Sequence, residues 1–334
     1  MGQDLIVVSV VAFLGALLAT PLVLAVLRRT RIFDHPNHRS SHSVPTPRGG
    51  GWGLLCGFAV GLVALAWFRD SALPFPWPML AGALLLLVVS AIDDIRGLGA
   101  AVRFGAQIVA VAIALASLPG DALLFQGWLP LPLDRLATAV AWLWFINLYN
   151  FMDGIDGLAA TEAVAIGAGI GAVALLAGAA FDSVVAPGWM LAAAALGFLP
   201  WNWQRARIFL GDVGSILLGF LGGWLLIALA MEGQAAAALI LPAYFLADAT
   251  VTLLRRLIQG AHPAEPHREH FYQRAIRAGW SHAGTTLFVA SVNAGLFLLA
   301  LLSVDHPWLA IAGAALLTGG ALAFLDRAWR NRRG

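Results

Sequence analysis

The chain has 334 residues, 60% of them apolar before its 36 Gly are counted and only 11% charged, whereas soluble domains run near about 45–50% and about 25%. That balance excludes a soluble fold, and the formal net charge of +2 gives no reason to expect a nucleic-acid partner. A single cysteine, Cys56, leaves no intrachain disulfide and no paired-cysteine metal motif.

A membrane span needs about 20 mostly apolar residues, and eleven stretches are predicted to qualify: 5–27, 52–68, 74–92, 104–119, 137–152, 158–180, 188–203, 213–231, 235–258, 284–303 and 308–325. The first has no basic residue ahead of it and no small-residue cleavage signature behind it, so it reads as a retained helix and not a signal peptide. Every basic residue is Arg. If the N-terminus is outside, eighteen of the twenty Arg fall on inward-facing segments and only Arg69 and Arg135 face outward, the asymmetry expected of cytoplasmic loops. The expected fold is therefore all-α: one polytopic transmembrane helical bundle over residues 1–334, with about eleven helices and a cytoplasmic C-terminus. Its main cytoplasmic loops are expected at 28–51 and 259–283. No internal repeat or inverted pair of broken helices, as many secondary transporters have, is visible.

In chain order, the first loop reads DHPNHRSSHSVPTPRGGG, and its Pro and Gly content predicts a turn or hinge. Its His38, Arg39, His42 and Arg48 could meet an anionic substrate or anionic lipid headgroups. The third span ends in Asp93-Asp94; the fifth runs into NLYNFMDGIDGLA with Asn147, Asn150, Asp153 and Asp156; the seventh runs into NWQRARIFLGDVGS with Asn202, Phe209 and Asp212. Ionisable groups near membrane depth are costly and suggest function. Five Asp converging from three helix ends would repel one another unless a cation or Arg compensates. Such an oxygen-only set suits Mg²⁺, whose shell is completed by water and substrate phosphates. Any single Asp could instead be a helix cap. Asn147, Asn150 and Asp153 lie at i, i+3 and i+6, neighbours on one helix surface; the two Asn could read a base or sugar edge or join helices. In the late loop, HPAEPHREHFYQR would place His267, His270 and Arg274 on one face if helical, able to hold a phosphate. Two His at this spacing lack a third soft ligand for zinc, and a solvated loop is the alternative.

These motifs, in this order, resemble the polyprenyl-phosphate N-acetylhexosamine-1-phosphate transferase superfamily, and the similarity covers essentially the whole chain. The resemblance implies transfer of a sugar 1-phosphate from a UDP-sugar to undecaprenyl phosphate, with release of UMP, at the cytoplasmic face of a bacterial inner membrane. Mg²⁺ is implied as cofactor, with Mn²⁺ as the alternative. It further implies Asp212, with Asp94, as metal ligands, Asp93, Asp94 and Asp153 as catalytic carboxylates, and Asn147, Asn150, Asp156, Asn202 and Phe209 near the nucleotide. His42 and Arg48 would serve from the first loop, and His267, His270 and Arg274 would contact the pyrophosphate. The implied partners are the UDP-sugar, undecaprenyl phosphate and membrane lipid, and a homodimer is compatible with them. The chain departs from the peptidoglycan enzyme of the superfamily, which has three consecutive His in the late loop where this chain has HREHFYQR. That likeness is closer to the branch priming O-antigen with N-acetylfucosamine or related sugars. The carboxylate that follows the paired Asp in some relatives is absent, Ile95, Arg96 and Gly97 standing there instead. The rival from another class is a proton-coupled secondary transporter, for which Asp248, inside the ninth span, is the main candidate residue.

Overall fold

The computed structural model describes residues 2–36, 44–70, 73–120, 123–261 and 267–333; His42, with His38 and Arg39, lies outside them. The fold is an all-α polytopic membrane bundle. Its helices are α1 (Gly2–Thr30), α2 (Gly51–Arg69), α3 (Trp77–Arg96), α4 (Ala100–Leu115), α5 (Leu131–Met152), α6 (Leu158–Leu176), α7 (Ala186–Asn202), α8 (Gly211–Leu229), α9 (Ala235–Ile240), α10 (Ala243–Ile258), α11 (Phe271–Arg277), α12 (His282–Leu302) and α13 (Pro307–Arg333). The only β structure among the described residues is the short β1 (Phe33–Asp34) paired antiparallel with β2 (Thr46–Pro47), and a single bridge from Arg48 to Phe209.

Each of the eleven predicted spans coincides with helix. Eight helical segments are long and apolar enough to cross a membrane by length and composition. The ninth predicted span is the exception in shape: it is broken at Leu241 and Pro242 into α9 and α10, because Pro242 has no N–H to continue the ladder. The late loop adds α11, which the apolar pattern did not mark.

Packing follows the small residues. A Cβ on Gly57 of α2 would stand 2.4 Å from the Ala16 backbone N of α1, so those two helices meet backbone to backbone, as small residues allow in membranes. Helix α8 is the central post, buried along nearly its whole length from Gly211 to Leu229. Helices α2, α3, α5 and α6 all pack on it, and its N-terminus, carrying Asp212, emerges at the end of the bundle where α3 and α5 finish and α4 begins.

Candidate active site

The short β1–β2 hairpin delivers PRGGG onto FLGD. Phe209 N–H donates to the Pro47 carbonyl (2.8 Å), Gly50 N–H donates to the Phe209 carbonyl (2.8 Å), and Gly51 N–H donates to the Leu210 carbonyl (2.8 Å). Phe209 thus seats the first loop through its backbone. Gly211 has φ +75, and a Cβ there would stand 2.7 Å from Asp94 Oδ2 and 2.9 Å from Gly49 N; only Gly accepts both conditions without strain.

This junction fixes Arg48. Its Nη2 lies 2.6 Å from Asp212 Oδ1 and its Nε 2.9 Å from Asp94 Oδ1. From the first turn of α4, Arg103 Nη1 lies 3.1 Å from Asp93 Oδ2 and 3.0 Å from Asp212 Oδ2. Three carboxylates from α3 and α8 are therefore bridged by two guanidinium groups, which supply the compensating charge the crowding demands. Burial alone would lower the Arg48 pKa, but Asp212, Asp94 and Asp34 outweigh it and hold the group above its ordinary value. Asn150 completes the cluster, its Nδ2 donating to Asp212 Oδ1 (3.2 Å) and Ser215 Oγ (2.9 Å).

The paired Asp divide their work. Asp94 accepts the backbone N–H groups of Asp212 (2.9 Å) and Val213 (3.1 Å), capping α8 from another helix. Asp93 accepts the Leu98 N–H and meets the Asp212 carboxylate across the Arg103 nitrogen they share. Asp153, just past the end of α5, is pushed up to about 7 by burial despite Arg48, with Asp212, Asp94 and Asp156 adding to the rise.

Other predicted residues are placed differently. Asn147 donates to Gln107 Oε1 of α4 and to the Leu143 carbonyl, both at 2.7 Å, so it joins helices while Asn150, one turn on, reaches the carboxylates. Asn202 binds backbone at both ends, accepting from Gly157 N and donating to the Ile208 carbonyl. Asp156 Oδ2 accepts from Ala206 N (3.1 Å), and Oδ1 lies 3.3 Å from His282 Nδ1. The predicted common face of His267, His270 and Arg274 does not form, because α11 begins only at Phe271. The two imidazoles still meet, with ring centroids 4.9 Å apart, and burial, helped by His270 and Arg256, pulls His267 down to about 4. Arg274 Nη1 is 3.0 Å from Asp326 of α13, a partner no local pattern suggested.

Arg103 and His282 were missed by sequence reasoning. The signal available for Arg103 was a lone Arg one turn into a helix that follows the paired Asp. An apolar cavity of about 690 Å³, lined by Trp142, Gly223, Leu226, Leu239 and Trp308 among others, lies toward the opposite end of α5 and α8, far along both helices from the charged cluster.

The charged end fits a hard divalent cation by its donor chemistry. No group of three His, Cys, Asp or Glu side chains arranged to hold a metal occurs among the described residues. Mg²⁺, however, typically uses one or two carboxylates plus substrate phosphates, and Asp93 Oδ2 and Asp212 Oδ2 converge on one Arg103 nitrogen, at 3.1 and 3.0 Å, a cationic position that a metal ion could take.

The chain is similar to known proteins. Residues 76–230 match the model for "Glycosyl transferase family 4", spanning α3 to the end of α8. The chain is 30% identical over 324 residues to a decaprenyl-phosphate N-acetylglucosaminephosphotransferase of Mycolicibacterium smegmatis, covering 86% of this chain and 79% of the relative. It is 30% identical over 330 residues to an undecaprenyl-phosphate alpha-N-acetylglucosaminyl 1-phosphate transferase of Yersinia pestis (90% and 86%). The chain belongs to glycosyl transferase family 4. A probable undecaprenyl-phosphate N-acetylglucosaminyl 1-phosphate transferase of Bacillus subtilis is 28% identical over 299 residues (85% and 81%), and the family places this chain among membrane phosphoglycosyltransferases. The matched segment of the transferase contains Asp93, Asp94, Arg103, Asn150, Asp153 and Asp212, so the charged cluster, apart from Arg48, lies within it.

Proposed function

We propose that this enzyme transfers an N-acetylhexosamine 1-phosphate, N-acetylglucosamine 1-phosphate being the first to test, from a UDP-sugar to undecaprenyl phosphate. UMP is released, and the step primes a cell-surface polysaccharide at the cytoplasmic face of the inner membrane. The single observation that carries it is the bridging of Asp93, Asp94 and Asp212 by Arg48 and Arg103 at one end of a membrane bundle. A lipid substrate and a doubly phosphorylated soluble one can meet there.

A phosphate oxygen of the lipid attacks the sugar-side phosphorus, the bond from that phosphorus to the bridging pyrophosphate oxygen breaks, and UMP leaves carrying the bridging oxygen. Two anions must come together, so positioning and charge neutralisation dominate the barrier. Asp212 with Asp93, in place of the expected Asp94, whose two oxygens are taken by backbone N–H groups of α8, would hold Mg²⁺, or Mn²⁺, which when bound neutralises charge developing on the transferred phosphoryl group. Asp94 keeps Asp212 in place by capping α8. Arg48 and Arg103, one-third exposed, can turn from the carboxylates toward substrate phosphates. Asp153 is suited to accept the residual proton of the lipid phosphate. Direct attack is favoured over a phosphorylated Asp, since the nucleophile is already anionic near neutral pH.

The test is UMP formation by purified protein with undecaprenyl phosphate, Mg²⁺ and a panel of UDP-sugars. Substrate uptake into vesicles without UMP formation from any donor would reinstate the transporter reading.

A further inference from the structure

Asp248 is the residue that a transporter would have used, and the proposed chemistry leaves it without a task. It sits in α10 with no exposed surface, yet its carboxylate is fully engaged. Oδ1 accepts from Phe271 N (2.9 Å) and lies 3.2 Å from His270 Nδ1; Oδ2 accepts from Tyr272 N (3.1 Å). The hydroxyls of Tyr244 and Thr252 stand 3.4 Å away. The start of α11 is thus capped by a carboxylate from another helix.

His270 is only 3% exposed. Its ring lies against Phe151 (centroids 6.5 Å) and Tyr272 (5.8 Å). Tyr272 in turn donates its hydroxyl to the Phe151 carbonyl at 3.0 Å, and a Cβ on Gly154 would collide with that hydroxyl at 2.2 Å. The imidazole is thereby packed against the end of α5, two residues before Asp153. An ionised carboxylate only accepts hydrogen bonds, so an imidazole bonded to one through Nδ1 carries its proton there. A second partner of this kind fixes which ring nitrogen faces the substrate.

We propose that Asp248 is a positioning residue: it holds His270 as the Nδ1–H tautomer and so presents an unprotonated Nε2, beside the Asp153 end of α5, to a hydroxyl or N–H of the donor substrate. The inference rests on the transferase reading for the identity of that substrate, but not for the tautomer. It also gives this buried acid a task other than carrying protons.

Two measurements on the full-length protein test it. In ¹⁵N-histidine NMR above the pH of imidazole titration, the signal lost in His270→Ala should report a protonated Nδ1 and a bare Nε2. An Nε2–H tautomer in the unaltered protein overturns the proposal, whether or not any UDP-sugar is turned over and whether or not Asp248→Asn folds. In kinetics, Asp248→Asn should lower kcat roughly 10- to 100-fold, and combining it with His270→Ala should cost nothing beyond His270→Ala alone. Losses that multiply would show that Asp248 does not act through His270 and would equally overturn it.

Discussion

The carboxylate of Asp94 accepts the backbone N–H of Asp212 at 2.9 Å, so the end of α3 caps the start of α8, 118 residues later in the chain. Removing that cap should separate two effects. Asp94→Ala is expected to lower stability by about 0.5–2 kcal/mol, the usual cost of a lost N-cap, and to abolish turnover because Asp212 loses its place. Asp94→Asn, which keeps one acceptor oxygen, should unfold nearer the unaltered protein; thermal unfolding in detergent compared with UMP release checks both.

Arg103 bridges Asp93 and Asp212 through one nitrogen. Arg103→Ala leaves two neighbouring carboxylates short of a counter-charge, and turnover should fall by roughly tenfold or more, as for lost transition-state neutralisation. Arg103→Lys should restore little of it, since an ammonium lacks the planar fork. Steady-state kinetics at saturating Mg²⁺ that match the unaltered enzyme would remove Arg103 from the site.

Gly211→Ala should be among the most damaging small substitutions. It places a side chain in a left-handed conformation, which costs about 1–2 kcal/mol, and drives a methyl to within 2.7 Å of Asp94 Oδ2. Gly319→Ala, in open space, is the control and should leave both melting and turnover unchanged.

Arg274 was expected to hold a phosphate and is found 3.0 Å from Asp326 instead. If its task is to tie α11 to α13, Arg274→Ala and Asp326→Ala should lower activity to a similar extent, and the double variant should add little. A far larger loss for Arg274→Ala would return it to the phosphate.

In metal-free protein, two groups near the site should oppose each other in pH. Asp153 is raised from 3.8 to about 7 on folding, so the native state binds the extra proton and its stabilising share is lost as pH rises through about 7. His267 is lowered from 6.5 to about 4, so its share is present above 6.5 and lost as pH falls toward 4. Between those limits the two slopes cancel in part. Asp153→Asn should therefore leave stability rising with pH across this window, and His267→Gln should leave it falling. Melting temperatures with a chelator present check the signs, and parallel curves for the two variants would refute them.

The amino-acid sequence by itself determined the all-α membrane fold and the positions of its spans, because hydropathy is a local property read residue by residue. It also determined that Asp93, Asp94, Asp153, Asp156 and Asp212 lie at span ends, since an unpaired charge is expelled from the apolar interior. What each polar side chain does there was decided only by the tertiary structure. Asn147 and Asn150 are three residues apart on one helix, yet the first meets Gln107 and the second Asp212, because adjacent turns of α5 face different neighbours. Asp93 and Asp94 are adjacent, yet one shares Arg103 with the Asp212 carboxylate and the other accepts the Asp212 backbone N–H. Arg103, Asp326 and the Asp248–His270 pair were likewise illegible, since a salt bridge or cap between distant residues leaves no periodic trace in the chain. Such partners are chosen by the packing of α8 and by Gly211 and its neighbours, which bring the first loop, α3 and α8 into contact.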